Sequence, residues 1–217
     1  MRESGILMHI TSLPAPYGIG TMGKDAYAFV DFLVRAGQRY WQILPLTPTG
    51  YGDSPYQSLG ACAGNHYLID LDRLADEGLL KKEEIQNISW GSNPARVDFG
   101  AMYAHRMNVL RLAFQRFAPD EAYETFVEQN RSWLEDYALF TALKDTLGGK
   151  PWLDWPEALR LRKADALTEK RRELSDEIRL QYFVQYEFDR QWKALRNYAN
   201  AKGVRIIGDV PIYVPLD

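Results

Sequence analysis

Three short apolar runs punctuate an otherwise helical pattern: Gly5–Ile10 (GILMHI), Tyr40–Leu46 (YWQILPL) and Val204–Val214 (VRIIGDVPIYV). Each is apolar on both faces or nearly so, which predicts strands of a parallel sheet covered on both sides. Between the first two, Ala26, Phe29, Val30 and Leu33 make one helical stripe within Asp25–Ala36, and Gly37 stands where a C′ glycine would end that helix. Strand, helix, strand in this order is a βαβ unit, whose crossover is right-handed in nearly all cases. Ahead of the third run, Leu180, Val184, Phe188, Trp192, Leu195 and Ala199 follow one another at steps of three or four, and Gly203 closes the helix. The stretch between is mainly helical by period. Tyr103, Met107, Leu110, Phe114 and Phe117 form one stripe; Trp133, Leu134, Tyr137, Phe140, Thr141 and Leu143 form another. A break at Gly148-Gly149-Lys150-Pro151 and a junction at Trp152–Pro156 lead into a charged helix. The pattern divides the chain into a βαβ part with loops (1–70), a helical insertion (71–175) and a helix with the third strand (176–217).

At 217 residues, 46% hydrophobic and 25% charged, the composition is that of an ordinary globular protein with ample material for a core. A net charge of −3 gives no electrostatic case for nucleic acid or an anionic membrane. The basic clusters Arg160–Lys163 and Lys170–Arg172 are interleaved with Asp165, Glu169 and Glu173, as on a solvated helix face. No run approaches 18 apolar residues, and MRESGILMHITSLP lacks the pattern of a signal peptide. A lone cysteine, Cys62, is expected as a small buried thiol in a reducing cytosol. The expected location is cytoplasmic, so the sequons at Asn87 and Asn130 carry no weight.

Chemistry concentrates after the second strand. The loop from Thr47 to Asn65 brings Tyr51, Tyr56, Asp53, Ser54 and Gln57 together, with Gly50, Gly52, Pro48 and Pro55 fixing its course. Aromatic faces and short polar groups are what a pyranose requires, since its C–H face stacks on a ring and its hydroxyls need partners. In βα barrels the site lies at the C-terminal strand ends, which adds Tyr17 from the first loop and Asp209 after Ile206-Ile207-Gly208. For Asp209 a structural salt bridge and a site role stand level. For Trp41, inside the second strand, packing competes with sugar stacking. Gly18-Ile-Gly20-Thr-Met-Gly23 is a literal G-x-G-x-x-G, but Pro14–Tyr17 separate it from the strand and no acid follows at the ribose position. Metal-ligand spacing and a serine elbow are both absent from the sequence. Glycoside chemistry needs two flanking carboxyl groups, and nothing upstream of Gly208 supplies such a pair; Asp53, in Gly-Asp-Ser-Pro, suits a turn better.

HITSLPAPYGIGTMG, RYWQILPLTPTGYGDSPYQSLGACAGNHYLIDL and GVRIIGDVPIYV closely resemble the amylomaltases, 4-α-glucanotransferases of glycoside hydrolase family 77. The resemblance runs nearly end to end; Ile10 and His66 stand where the family usually has proline. It implies an α/β fold, a partial (β/α)8 TIM-type barrel of three strands with a large, mainly helical insertion between strands 2 and 3. It implies that Tyr56 stacks beside the donor sugar, that Asp209 is a substrate-site residue, that Ser54 lines the cleft and that Tyr51 belongs to a secondary glucan site. Trp41 remains a substrate-site candidate from the residues alone. The implied activity passes α-1,4-glucan segments to the 4-hydroxyl of another glucan or glucose by a retaining mechanism, without metal or organic cofactor. Partners would be maltodextrins, maltose and glucose. The family's catalytic carboxylates lie on later strands, so the expectation is a fragment without them, the alternative being a catalytically inactive glucan-binding chain. Hydrolysis of the α-amylase type is a weaker reading, because GYGDSPYQS resembles the transferases specifically.

Overall fold

The computed structural model describes residues 2–50 and 52–211. Three strands, β1 (Gly5–Leu7), β2 (Tyr40–Gln42) and β3 (Arg205–Ile207), form a parallel sheet in the order β1-β2-β3. Each is shorter than its apolar run. Pro45 and the 3-10 turn Ile10–Ser12 end the first two ladders, because proline has no N–H to donate.

Helix α1 (Lys24–Arg35) returns the chain from β1 to β2, as the stripe requires, and buries Ala26, Val30 and Leu33. Gly37 at φ +68 ends it, with the Gly37 and Gln38 amides donating to the Val34 and Leu33 carbonyls. Six helices follow: α2 (Leu71–Asp76), α3 (Lys82–Gln86), α4 (Phe99–Phe114), α5 (Glu121–Thr146), α6 (Glu157–Arg160) and α7 (Ala164–Glu173). The long helix α8 (Ser175–Ala201) then leads into β3.

The expectation of a sheet covered on both sides is half met. Alternation sends Ile6, Trp41, Ile43 and Ile206 to one face, where they pack with Val30 and Leu33 of α1 and Leu195 and Ala199 of α8. The other face is open: Leu7 is 56% and Ile207 44% exposed, with Gln42 between them. The apolar runs lacked alternation because both faces are apolar, and that cannot tell which one the chain itself covers.

A second core joins the two ends of the sequence. Tyr17 and Ile19 from the first loop, Tyr67, Ile69, Leu71 and Leu74, Met102, Leu110 and Ala113 of α4, and Leu180, Phe183 and Val184 of α8 form one buried cluster. The face of α4 is displaced from the expected stripe. Met102, Arg106, Val109, Leu110 and Ala113 are buried, whereas Tyr103 is 56% exposed. Both sets follow i, i+4, i+7 spacing, so period alone could not choose between them.

Helix α8 grips the end of the Thr47–Asn65 loop and the segment after it with two buried glutamines. Gln185 accepts from the Gly64 amide (2.7 Å) and donates to the Gly64 carbonyl (3.0 Å). Gln191 does the same for Asp70, at 2.7 and 3.4 Å. An irregular buried backbone has no ladder to join, so side-chain amides stand in for one. Asp70 in turn caps α2 through the Arg73 amide and accepts from the Thr21 hydroxyl at 2.6 Å. A Cβ at Gly23 would lie 1.9 Å from the Asp70 carboxylate. The glycines that resemble a nucleotide fingerprint thus serve close packing.

Gly64 presses on the Phe188 ring so closely that a Cβ would stand 2.0 Å from it. Gly64→Ala is expected to destabilise the fold by about 2 kcal/mol through overpacking. Urea unfolding of the two proteins checks this, and coincident midpoints would contradict the packing described.

Candidate functional site

The loop after β2 folds back on itself. A bridge pairs Thr49 with Ser58, and the Gly50 amide donates to the Gln57 carbonyl at 2.8 Å. Gly52 (φ +91) and Asp53 (φ +57) take the tip through the left-handed region, which Gly and Asp tolerate best. Ser54 then organises the descent: its carbonyl accepts from the Gln57 amide (3.1 Å) and its hydroxyl from the Tyr56 amide (3.3 Å). Ser54 therefore holds Tyr56 in place.

Tyr56 is 43% exposed, and its hydroxyl donates to Asp209 Oδ2 at 2.7 Å. This bond ties the β2 loop to the end of β3. The hydrogen bond to Asp209, then partial desolvation, raises the Tyr56 phenol above its ordinary pKa. The Val210 amide donates to Asp209 Oδ1 at 2.8 Å. Both carboxylate oxygens are thus oriented, and each keeps accepting capacity for an incoming hydroxyl. Among the described residues Asp209 has no salt bridge; its partners there are the Tyr56 hydroxyl and the Val210 amide.

The structure separates the remaining candidates. Trp41 is fully buried beneath the sheet, its indole donating to the Met8 carbonyl at 2.7 Å and meeting the Phe29 ring edge-on at 5.1 Å. It packs and offers no face to a ligand. Tyr17 is withdrawn as well; it is 4% exposed and donates to Asp72 at 2.6 Å. Tyr51 lies outside the described residues. Cys62 is exposed, against the expected buried thiol, and lines two small clefts of about 290 and 280 Å³ beside Trp133. The return of the loop runs over the surface of α5 there, and Gly60 packs on the Tyr137 ring.

Helix α4 supplies what the sequence reading missed. The Tyr103 hydroxyl donates to Asp53 Oδ1 at 2.7 Å, which holds the loop tip. One turn away, the buried Arg106 guanidinium donates to the Tyr67 and Ile69 carbonyls, holding the loop's far end. Burial pushes Arg106 down to about 10, and its Nε and Nη1 have no partner among the described residues. The signal for Tyr103 was its place at the edge of the α4 stripe, which also reads as core.

A cleft of about 1150 Å³ lies between residues 11–20 and residues 85–99. Neither Tyr56 nor Asp209 lines it, and of its aromatic members Tyr17 and Trp90 are buried and Phe99 half-buried. Size alone does not make it the candidate site. No helix of the described residues is long and apolar enough to cross a membrane.

These observations define an α/β protein whose oriented tyrosine and carboxylate stand beyond the C-terminal ends of parallel strands. Residues 8–217 match the glycoside hydrolase 77 family, described as 4-alpha-glucanotransferase. The chain belongs to that family. It is 50% identical over 222 residues to a 4-alpha-glucanotransferase of Thermus thermophilus, covering 100% of this chain and 43% of the relative. It is 47% identical over 212 residues to that of Clostridium butyricum, covering 97% of this chain and 44% of the relative. An amylomaltase from Streptococcus agalactiae, solved in complex with acarbose, superimposes with a TM-score of 0.95 at 48% identity, over 99% of this chain and 44% of that one. The chain spans less than half the length of these relatives.

Two histidines carry a consequence for stability. Burial pushes His9 down to about 4, and burial with the nearby Arg106 charge pushes His66 down to about 3. The unfolded chain takes up protons near pH 6.5 that the folded chain refuses, so these groups cost stability as pH falls below that value. Replacing His66 by Gln is expected to flatten unfolding free energy against pH between 6.5 and 5, by up to ~1.4 kcal/mol per pH unit. Urea titrations at a series of pH values measure the slope, and identical slopes would refute the assignment.

Proposed function

We propose that the chain carries a donor-site wall of a 4-α-glucanotransferase, an enzyme that moves α-1,4-glucan segments to the 4-hydroxyl of another glucan or of glucose with retention. The observation that supports this most is the Tyr56–Asp209 hydrogen bond. The sequence put the two residues 153 positions apart, and the fold joins them at 2.7 Å where a βα architecture carries its chemistry.

In this reading the Tyr56 ring takes the C–H face of a glucose unit, and its hydroxyl, committed to Asp209, fixes the ring's orientation. Asp209 accepts hydroxyl protons from the sugar with the capacity left after Tyr56 and Val210. Ser54 and the Tyr103–Asp53 bond hold the loop in place, so less conformational freedom is lost on binding. A retaining transfer also needs a nucleophilic carboxylate and an acid/base carboxyl group. We assign neither to a residue of this chain. The role proposed for these residues is to bind and orient the glucan.

The purified chain is expected to bind maltotriose, and Tyr56→Ala to weaken that binding at least tenfold, about 1.4 kcal/mol. Calorimetry or NMR titration measures both, and product analysis reports whether glucose and longer oligomers also form. Equal affinity in the variant would remove Tyr56 from the site, and no binding by either protein would overturn the reading.

A further inference from the structure

The alternation that exposes Leu7, Gln42 and Ile207 continues beyond the strands. The Met8 amide donates to the Gln42 carbonyl and the Ile43 amide to the Ile207 carbonyl, both at 3.0 Å, which prolongs the ladder. Two residues after the paired row Leu7–Gln42–Ile207 come His9, Leu44 and Asp209. With period two they reach the same open face, one row nearer the C-terminal end. His9 is still extended there (φ −70, ψ 144) before the chain turns.

His9 does not pack in the core beneath the sheet. Its Nδ1 accepts from the Leu44 amide at 3.3 Å. A ring nitrogen that accepts carries no proton, so in the neutral ring the proton sits on Nε2. Burial keeps the ring neutral at ordinary pH, with its pKa near 4. Nε2 has no partner among the described residues, and it is not one of the fully buried unpaired atoms. The row therefore has a fixed donor at one end and the Asp209 carboxylate, held by Tyr56, at the other. Two strand spacings separate these backbones, about 10 Å, with apolar Leu44 between.

We infer that His9 is a substrate-contacting residue of this site, its Nε2–H donating to a hydroxyl oxygen of an α-1,4-linked glucose unit held by Tyr56 and Asp209. The inference rests on the function proposed above and adds the complement that its acceptor lacked. A sugar hydroxyl both donates and accepts. Asp209 only accepts, and His9 in this tautomer offers only a donor, so the two ends read opposite sides of a hydroxyl rim. The Leu44 clamp fixes the tautomer and the direction of Nε2.

His9→Asn separates contact from support. The Asn side-chain oxygen replaces the Nδ1 acceptor for the Leu44 amide, while the donor at the Nε2 position is lost. The variant is expected to keep its thermal midpoint and to bind maltotriose about tenfold more weakly, the loss of one hydrogen bond. On the unaltered chain, imidazole nitrogen NMR at neutral pH is expected to show His9 protonated at Nε2, and maltotriose to shift that nitrogen while leaving His66 in place. An unmoved Nε2 signal with Tyr56-dependent binding intact would overturn the proposal alone, whatever the affinity of the variant. Absence of maltotriose binding by the unaltered chain would overturn it together with the function it rests on.

Discussion

Two buried glutamines of α8 hold this molecule's irregular half to its regular half. Gln185 and Gln191 each meet both the amide and the carbonyl of a loop residue, Gly64 and Asp70. A buried peptide group without a partner costs roughly 1–3 kcal/mol, so a non-ladder segment cannot lie against a helix unless something replaces the ladder. Gly64 has no side chain to keep the Phe188 ring away, and Asp70 caps the next helix. From these two points the position of the Thr47–Asn65 loop follows, and with it Tyr56.

The helical segment between β2 and α8 is structurally continuous with the Thr47–Asn65 loop. Tyr103 and Arg106, one turn apart on α4, hold the loop tip at Asp53 and its far end at the Tyr67 and Ile69 carbonyls. A helix is a stiff ruler, so two contacts on one face fix both positions relative to each other. Among the described residues the buried Arg106 donates to carbonyls, whose dipoles receive its charge, and forms no ion pair with a carboxylate. His66 resists protonation first because it is itself buried and second because the Arg106 charge lies nearby.

Much of the architecture was legible because it depends on local periodicity. The α1 stripe, the stop at Gly37, the α8 stripe with its stop at Gly203, and the break at Gly148-Gly149 all reappear, the four glycines at positive φ. These features depend on neighbours three or four positions away and on the freedom of glycine. What misled was residue type at positions with two plausible environments. Trp41 and Tyr17 have the chemistry of sugar contacts and sit in cores, while Tyr103 has the spacing of a core residue and lies outside. Cys62, expected buried, is exposed because the loop return runs across α5.

The sequence by itself determined the family, the parallel βαβ start, and Tyr56 with Asp209 as the groups to watch, since these rest on motif and local pattern. Only the tertiary structure decided that those two share a hydrogen bond, that Tyr103 braces the loop tip at Asp53, and that the His9 ring accepts from the Leu44 amide. Each of these is a contact between segments far apart in the chain. Strand register and helix packing set such contacts, and neither leaves a mark on spacing within one segment.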